Sequence, residues 1–169
     1  MSEPIEDLDF RRATESDVDE MADAHRDSIL QLGSQYYVSA IVNAWAGVVS
    51  PGLYLDAMRR GEVFFIATGR VAGDAMVLGF SSDYVIGGTT HGVSAYVRSV
   101  AARRRVGSRL LALAESLGRS RGATAVQIEA SLGAVEFYEA HGFVETARGE
   151  VALPSGFKMP CAFMRKELR

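Results

Sequence analysis

VSAYVRSVAARRRVGSRLLALAESLGRS, residues 93–120, reads as a strand, a turn and a helix in succession. Val93, Ala95 and Val97 alternate on one face, the period of a half-buried strand. Val106, Leu110, Leu113 and Leu117 recur at helical spacing as one apolar stripe. Between them the turn carries Arg98, Arg103, Arg104 and Arg105, with Gly107 at the start of the helix. A helix start presents unpaired N–H donors and the positive end of the peptide dipole, so it attracts anions. Guanidinium groups beside it reinforce that attraction through two-pronged bonds to phosphate oxygens. No acidic residue lies between Val93 and Glu115. The stretch is a candidate phosphate site.

Working outward, Val126 to Ala130 reads as a buried strand that runs into Ser131-Leu132-Gly133-Ala134-Val135-Glu136-Phe137-Tyr138-Glu139-Ala140-His141-Gly142-Phe143. Gly122 and Gly142 stop the two helices. Strand, helix, strand, helix implies parallel neighbours joined by right-handed crossovers. Ligands of open α/β sheets bind beyond the carboxyl ends of the strands. The arginine turn and the Ser131–Gly133 turn both fall at such ends. Phe143 to Leu153 and Cys161 to Leu168 then form an antiparallel hairpin around Pro154-Ser155-Gly156.

On these residues the chain resembles the GNAT superfamily of acetyl-CoA-dependent N-acetyltransferases. Val97 to Gly107 keeps the spacing of that family's pyrophosphate loop, V-x-P-x-x-Q/R-G-x-G-I/V-G, and Val106, Gly107, Leu110 and Leu111 match it. Ser99 stands for the proline, Ala102 for the Gln/Arg, and Arg103 and Arg105 for two of the three glycines. Ser131 to Phe143 resembles the S-L-N-A-x-x-F-Y-E-x-x-G-F helix, with Gly133 in place of its Asn. With Phe10-Arg11-Arg12-Ala13 and Asp17 counted at the start, and Met159 to Lys166 at the end, the resemblance covers nearly the whole chain. It implies a GNAT fold, a single central mixed β-sheet (α/β, α+β) flanked by helices with splayed parallel central strands, over one domain, 1–169.

In the first half, Leu8 to Arg12 is read as a strand, and Thr14-Glu15-Ser16-Asp17 as a capping box. Val18, Met21, Ala22, His25, Ile29 and Leu32 then share one helix face, which makes His25 a core histidine before a ligand. Gly33 to Gln35 break the pattern. A second helix carries Tyr37, Ile41, Ala44, Trp45 and Val48, with Trp45 read as packing, and a third carries Tyr54 and Met58. Val63 to Thr68 is an apolar strand, Gly69 to Asp74 a turn, and Ala75 to Val85 a strand interrupted by Gly79.

Composition narrows the classes. A chain of 169 residues, 48% hydrophobic and 23% charged, suits one globular domain with a core of its own. A net charge of −3 argues against nucleic acid as partner and makes the arginine cluster a local feature for a small anion. The single Cys161 excludes an intramolecular disulfide and fits a reducing, cytoplasmic setting. MSEPIEDLDF lacks the order of a signal peptide, and no apolar run spans a bilayer, so no membrane partner is expected.

The resemblance implies acetyl-CoA as acetyl donor, with no metal. The donor would lie along Ala95, Tyr96 and Val97, on Ala102, Arg103, Arg104, Arg105, Val106, Gly107 and Ser108, and against Gly133, Phe137 and Tyr138. Tyr138, at the family's F-Y position, is the expected proton donor to the leaving thiolate; packing on the helix face is its other reading. His91 occupies the position six residues before the motif where many members carry a glutamate. A histidine with pKa near 6.5 can draw a proton from an amine. It can equally be a solvated turn residue after Thr89-Thr90, and Glu129 is the spare base. The acceptor is a small-molecule or peptide amine, with a homodimer left open. A GNAT-fold module that binds CoA, another acyl-CoA or a different anion without catalysis is the rival reading.

Overall fold

Thr90 with Ala125, His91 with Val126 and Gly92 with Gln127 make up all the parallel pairing in the sheet among the described residues. They join β4 (Thr90–Val97) to β5 (Ala125–Ser131) in the computed structural model, which describes residues 2–169. On one side of this seam lie β1 (Ile5–Arg12), β2 (Val63–Val71) and β3 (Asp74–Gly87), and on the other β7 (Lys158–Glu167) and β6 (Val144–Ala152). All other pairs are antiparallel, in one seven-stranded sheet ordered β1-β2-β3-β4-β5-β7-β6. This is the mixed, helix-flanked sheet expected from the sequence.

Beyond Gly92 and Gln127 the central strands separate. β4 stays paired with β3 as far as Val97, and β5 with β7 as far as Ser131. Each strand therefore keeps its outer ladder and loses its inner one. The backbone groups facing the gap are left for water or a ligand.

One face of the sheet is covered by α1 (Val18–Asp27), α2 (Ser39–Ala46) and α3 (Pro51–Arg59), packed on Phe64, Ile66 and Phe80. The other is covered by α4 (Val106–Ser120) and α5 (Val135–Ala140), packed on Val93, Val126 and Leu78. The Thr14/Asp17 capping box forms, and Arg11 holds Asp17 at 2.8 Å. The stripe of α4 is rotated from the expected one. Val106, Leu110, Leu111, Ala114 and Gly118 are buried, while Leu113 and Leu117 are only half-buried. Small residues explain the rotation: a Cβ at Gly118 would stand 3.0 Å from Asp83 Oδ1, so the helix sits close on β3.

Two strand boundaries also differ. β2 continues through Val71, and the turn is Ala72-Gly73, both with positive φ, as a two-residue hairpin requires. β3 is one strand through Gly79, although its register with β2 shifts at the neighbouring Leu78, and a Cβ on Gly79 would fall 2.6 Å from the Tyr96 carbonyl oxygen. The glycine serves close strand approach, not a break.

His25 lies on the buried stripe of α1, as expected of a core histidine. Its Nδ1 shares a 2.8 Å hydrogen bond with the Tyr54 hydroxyl, and its ring lies 3.9 Å from that of Tyr96. Burial, then the nearby Arg26, pushes its pKa down from 6.5 to about 3. The unfolded chain thus binds a proton near pH 6.5 that the native state refuses. Stability is complete above that pH and falls as the pH drops towards 3. Urea unfolding between about pH 7 and pH 5 should show a decline of up to about 1.4 kcal/mol per pH unit, and His25→Gln should flatten it. An unchanged slope in the variant would place the titration elsewhere.

Candidate active site

The arginine turn starts from fixed points. The Arg98 N–H donates to Leu78 O at 2.7 Å and Arg98 Nε to Val77 O at 2.6 Å, while the Ser99 N–H donates to Asp27 Oδ2 at 2.6 Å. A single 3-10 turn, Ser99–Ala101, leads to an extended Ala102. Arg103 and Arg105 then adopt φ of 59° and 63°. These are two of the positions where the resemblance expects glycine, and a side chain in that region costs about 1–2 kcal/mol. The backbone of a glycine loop is thus kept without its glycines. Among the described residues no backbone or side-chain oxygen accepts from the amides of Arg103 to Ser108. Arg103 and Arg105 are exposed, and Arg104 Nη2 is buried without a partner. A row of free N–H donors, a helix start and an orphaned guanidinium nitrogen fit a diphosphate.

Gly107 lets this loop reach the next element. A Cβ there would stand 3.3 Å from Val97 Cγ2 and 3.4 Å from Phe137 Cε2. The Ser108 hydroxyl is bonded to His141 Nε2 at 2.9 Å, and His141 Nδ1 donates to Phe137 O at 2.7 Å. Ser108 therefore offers a ligand its amide and not its hydroxyl. His141, which the sequence reading did not single out, ties the start of α4 to the end of α5.

The gap between β4 and β5 forms a cleft of about 250 Å³ lined by Tyr84, Ser94, Ala95, Tyr96, Glu129, Ser131 and Tyr138, among others. Tyr138 rises into it from α5 and is 2% exposed. Burial, then Tyr96, pushes its phenol well above the usual tyrosine value, against the opposing pull of the Ala95 backbone. The Tyr96 phenol is likewise raised, to about 12, by burial and then Tyr84. Both hydroxyls stay protonated through the neutral range. Glu129 is the one charged residue in the lining.

The structure brings Ala95, Tyr96 and Tyr138 together in the cleft and Val97, Gly107 and Phe137 together beside the loop. It does not bring His91 to either. His91 is 1% exposed on the α4 side of the sheet, with Nδ1 2.8 Å from Asp83 Oδ1, and Asp83 Oδ2 accepts from Arg121 at 3.1 Å. The solvated-turn reading of His91 is overturned by this burial, and the base reading by its absence from the cleft. Gly133 is also covered: a Cβ there would fall 2.6 Å from Tyr36 Cδ2. The ring of Tyr36 stands where the family's Asn side chain would begin. Its neighbour Tyr37 fixes it there, accepting from the Leu132 N–H at 2.8 Å and donating to Pro160 O at 2.6 Å. No short motif announces Tyr36, Tyr84 or His141; their roles come from chain folded far away.

A family model described as an acetyltransferase (GNAT) domain matches residues 60–145. The GCN5-related N-acetyltransferase from Rhodopseudomonas palustris is similar over 99% of each chain, with 27% identity and a TM-score of 0.79. The PaiA N-acetyltransferase from Thermoplasma acidophilum, solved in complex with coenzyme A, covers 95% of this chain and 99% of its own at 17% identity and TM-score 0.74. Salmonella typhimurium yncA, solved with its cofactor acetyl-CoA, covers 96% of this chain and 94% of its own at 19% identity and TM-score 0.67. No curated protein matches the chain. No helix is long and apolar enough to cross a membrane, and no group of metal-ligating side chains forms among the described residues.

Two variants test this geometry. Arg103→Gly with Arg105→Gly removes two strained side chains, so the fold should gain about 1 kcal/mol net of the added chain entropy. CoA affinity should fall about tenfold and lose much of its salt dependence, because the charge leaves with the side chains. Tighter binding would mean that the arginines obstruct the cradle. Asp83→Ala should cost about 3–5 kcal/mol in urea unfolding, since it leaves His91 and Arg121 without their shared carboxylate.

Proposed function

The chain belongs to the GNAT acetyltransferase family, and from that premise we propose that it transfers an acetyl group from acetyl-CoA to a primary amine directly, within a ternary complex. The observation that carries the proposal is the continuity of two features. The free amides of Arg103 to Ser108 lead, past Gly107 and Val97, towards the cleft whose lining holds both Tyr138 and Glu129. One elongated anionic thioester suits that path. Its phosphates would lie on the amides and arginines, and its amide-bearing arm along the unpaired edges of β4 and β5.

The chain's own groups supply the rest. The amine attacks the thioester carbonyl carbon, the C–N bond forms and the C–S bond breaks. Tyr138 donates its proton to the leaving sulfur and is re-protonated from water; its raised pKa keeps that proton in place beforehand. The edge of β4 beyond Gly92, where its ladder with β5 has ended, supplies backbone N–H donors to the carbonyl oxygen as charge develops there. Glu129, the lining's carboxylate, receives the proton the ammonium sheds before attack, directly or through water, and the second nitrogen proton leaves to water as the amide forms. It takes the role for which His91 is misplaced.

Tyr138→Phe should lower kcat by roughly one to three decades with CoA affinity retained. In a thermal-shift titration, CoA and acetyl-CoA should both raise the melting temperature by mass action. No shift at millimolar cofactor would overturn the proposal. Turnover unaffected by Tyr138→Phe would return that residue to a packing role.

A further inference from the structure

The acceptor side of the cleft has a composition of its own. Along β4 the residues alternate: His91 and Val93 face α4, while Gly92 and Ser94 face the opposite side of the sheet. Tyr84, the register partner of Gly92, leans across it, and a Cβ built on Gly92 would clash with the hydroxyl end of the Tyr84 ring. The missing side chain is what allows the hydroxyl end of Tyr84 to lie over Gly92. Burial, then Glu62, then Glu129 raises the Tyr84 phenol. Tyr84 is thus a neutral aromatic surface, about a third exposed, that shares the cleft lining with Glu129.

Glu129 has a second ring beside it. Its cross-strand partner is Phe163, whose ring covers Gly149, where a Cβ would stand 2.6 Å from Phe163 Cε2. Neighbouring cations on β6 and β7 are engaged: Arg165 by Glu167 at 2.7 Å and Arg148 by Glu145. Glu62 is half-buried, its carboxyl raised by burial. Glu129 is therefore the exposed carboxylate of this face, beside the Tyr84 and Phe163 rings, with the half-buried Glu62 the second carboxylate acting on Tyr84.

We infer that the acceptor is a monocationic primary amine on an apolar stem, its ammonium drawn to Glu129 and its stem laid on the Tyr84 ring. A carboxylate-bearing amino acid would meet Glu129 with like charge. A polyamine would carry extra cations to a site with one exposed carboxylate. An ammonium passing over a ring face gains a cation–π contact in addition to the ion pair. The inference rests on the acetyl-transfer reading, since without an acceptor the face has no substrate to select.

The test follows acetyl-CoA-dependent thiol release with 2-phenylethylamine, hexylamine, L-glutamate and spermidine as acceptors. The two apolar monoamines should exceed the others in kcat/KM by at least about tenfold. Tyr84→Leu should raise KM for 2-phenylethylamine by about tenfold with the CoA-induced thermal shift retained, and Gly92→Ala, which evicts the ring, should do the same. Retention of the CoA shift shows that each variant is folded. Preference for glutamate or spermidine, or a KM untouched by Tyr84→Leu, would overturn the inference while leaving acetyl transfer standing. Cofactor binding without thiol release for any of the four amines would overturn the transfer reading itself.

Discussion

The parallel ladder between β4 and β5 stops after Gly92 and Gln127, and the site exists because it stops. A sheet gains by pairing every edge, since a buried unpaired backbone group costs about 1–3 kcal/mol. This sheet gives up several pairs at its centre and keeps the strands in place from outside. β3 holds β4 and β7 holds β5 for their full lengths. Tyr138 and Ala134 of the α5 region line the gap from below. What remains is a polar-edged slot with the Tyr138 phenol in its lining.

The arginine turn shows a second compromise. Arg103 and Arg105 hold left-handed backbone conformations that favour glycine, so the loop carries local strain that the sequence could have avoided. Positive charge is what the side chains add. The chain around the loop over-determines its shape, through Arg98 on the Val77 carbonyl, Asp27 on the Ser99 amide and Gly107 against Val97. Such anchoring is the condition under which strained residues persist.

Much of this was legible in the sequence, because periodicity is local. The alternation through Val93–Val97 and the stopping glycines each depend on a few neighbouring residues, whereas the buried stripe of α4 was turned by its packing on β3. The spacing from Val97 to Gly107 identified the loop even where its residue types had changed. His91 was misread for the converse reason. A histidine after two threonines looks like a turn, and only the β3–β4 register brings Asp83 to it. In the sequence Gly79 looks like a break and Gly133 like a plain replacement of Asn. Both are contacts, with the Tyr96 carbonyl and the Tyr36 ring, that no local pattern encodes. Glu129 looked like a spare because its isolation as the cleft's only charge is a property of everything that surrounds it.

The insertion of β7 between β5 and β6 has a consequence for how the molecule is made. β5 touches β4 at three positions and β7 at seven, so most of its ladder is supplied by the final strand in chain order. The half of the sheet containing β1 to β4 can assemble from contacts between sequence neighbours. The other half must hold α5 and β5 in waiting until residues near 160 have been synthesised. Distant pairings of this kind slow folding, and the exposed edge of β5 is during that time an adhesive surface. The active cleft is thus the last feature to be completed, closed on its far wall only when β7 docks.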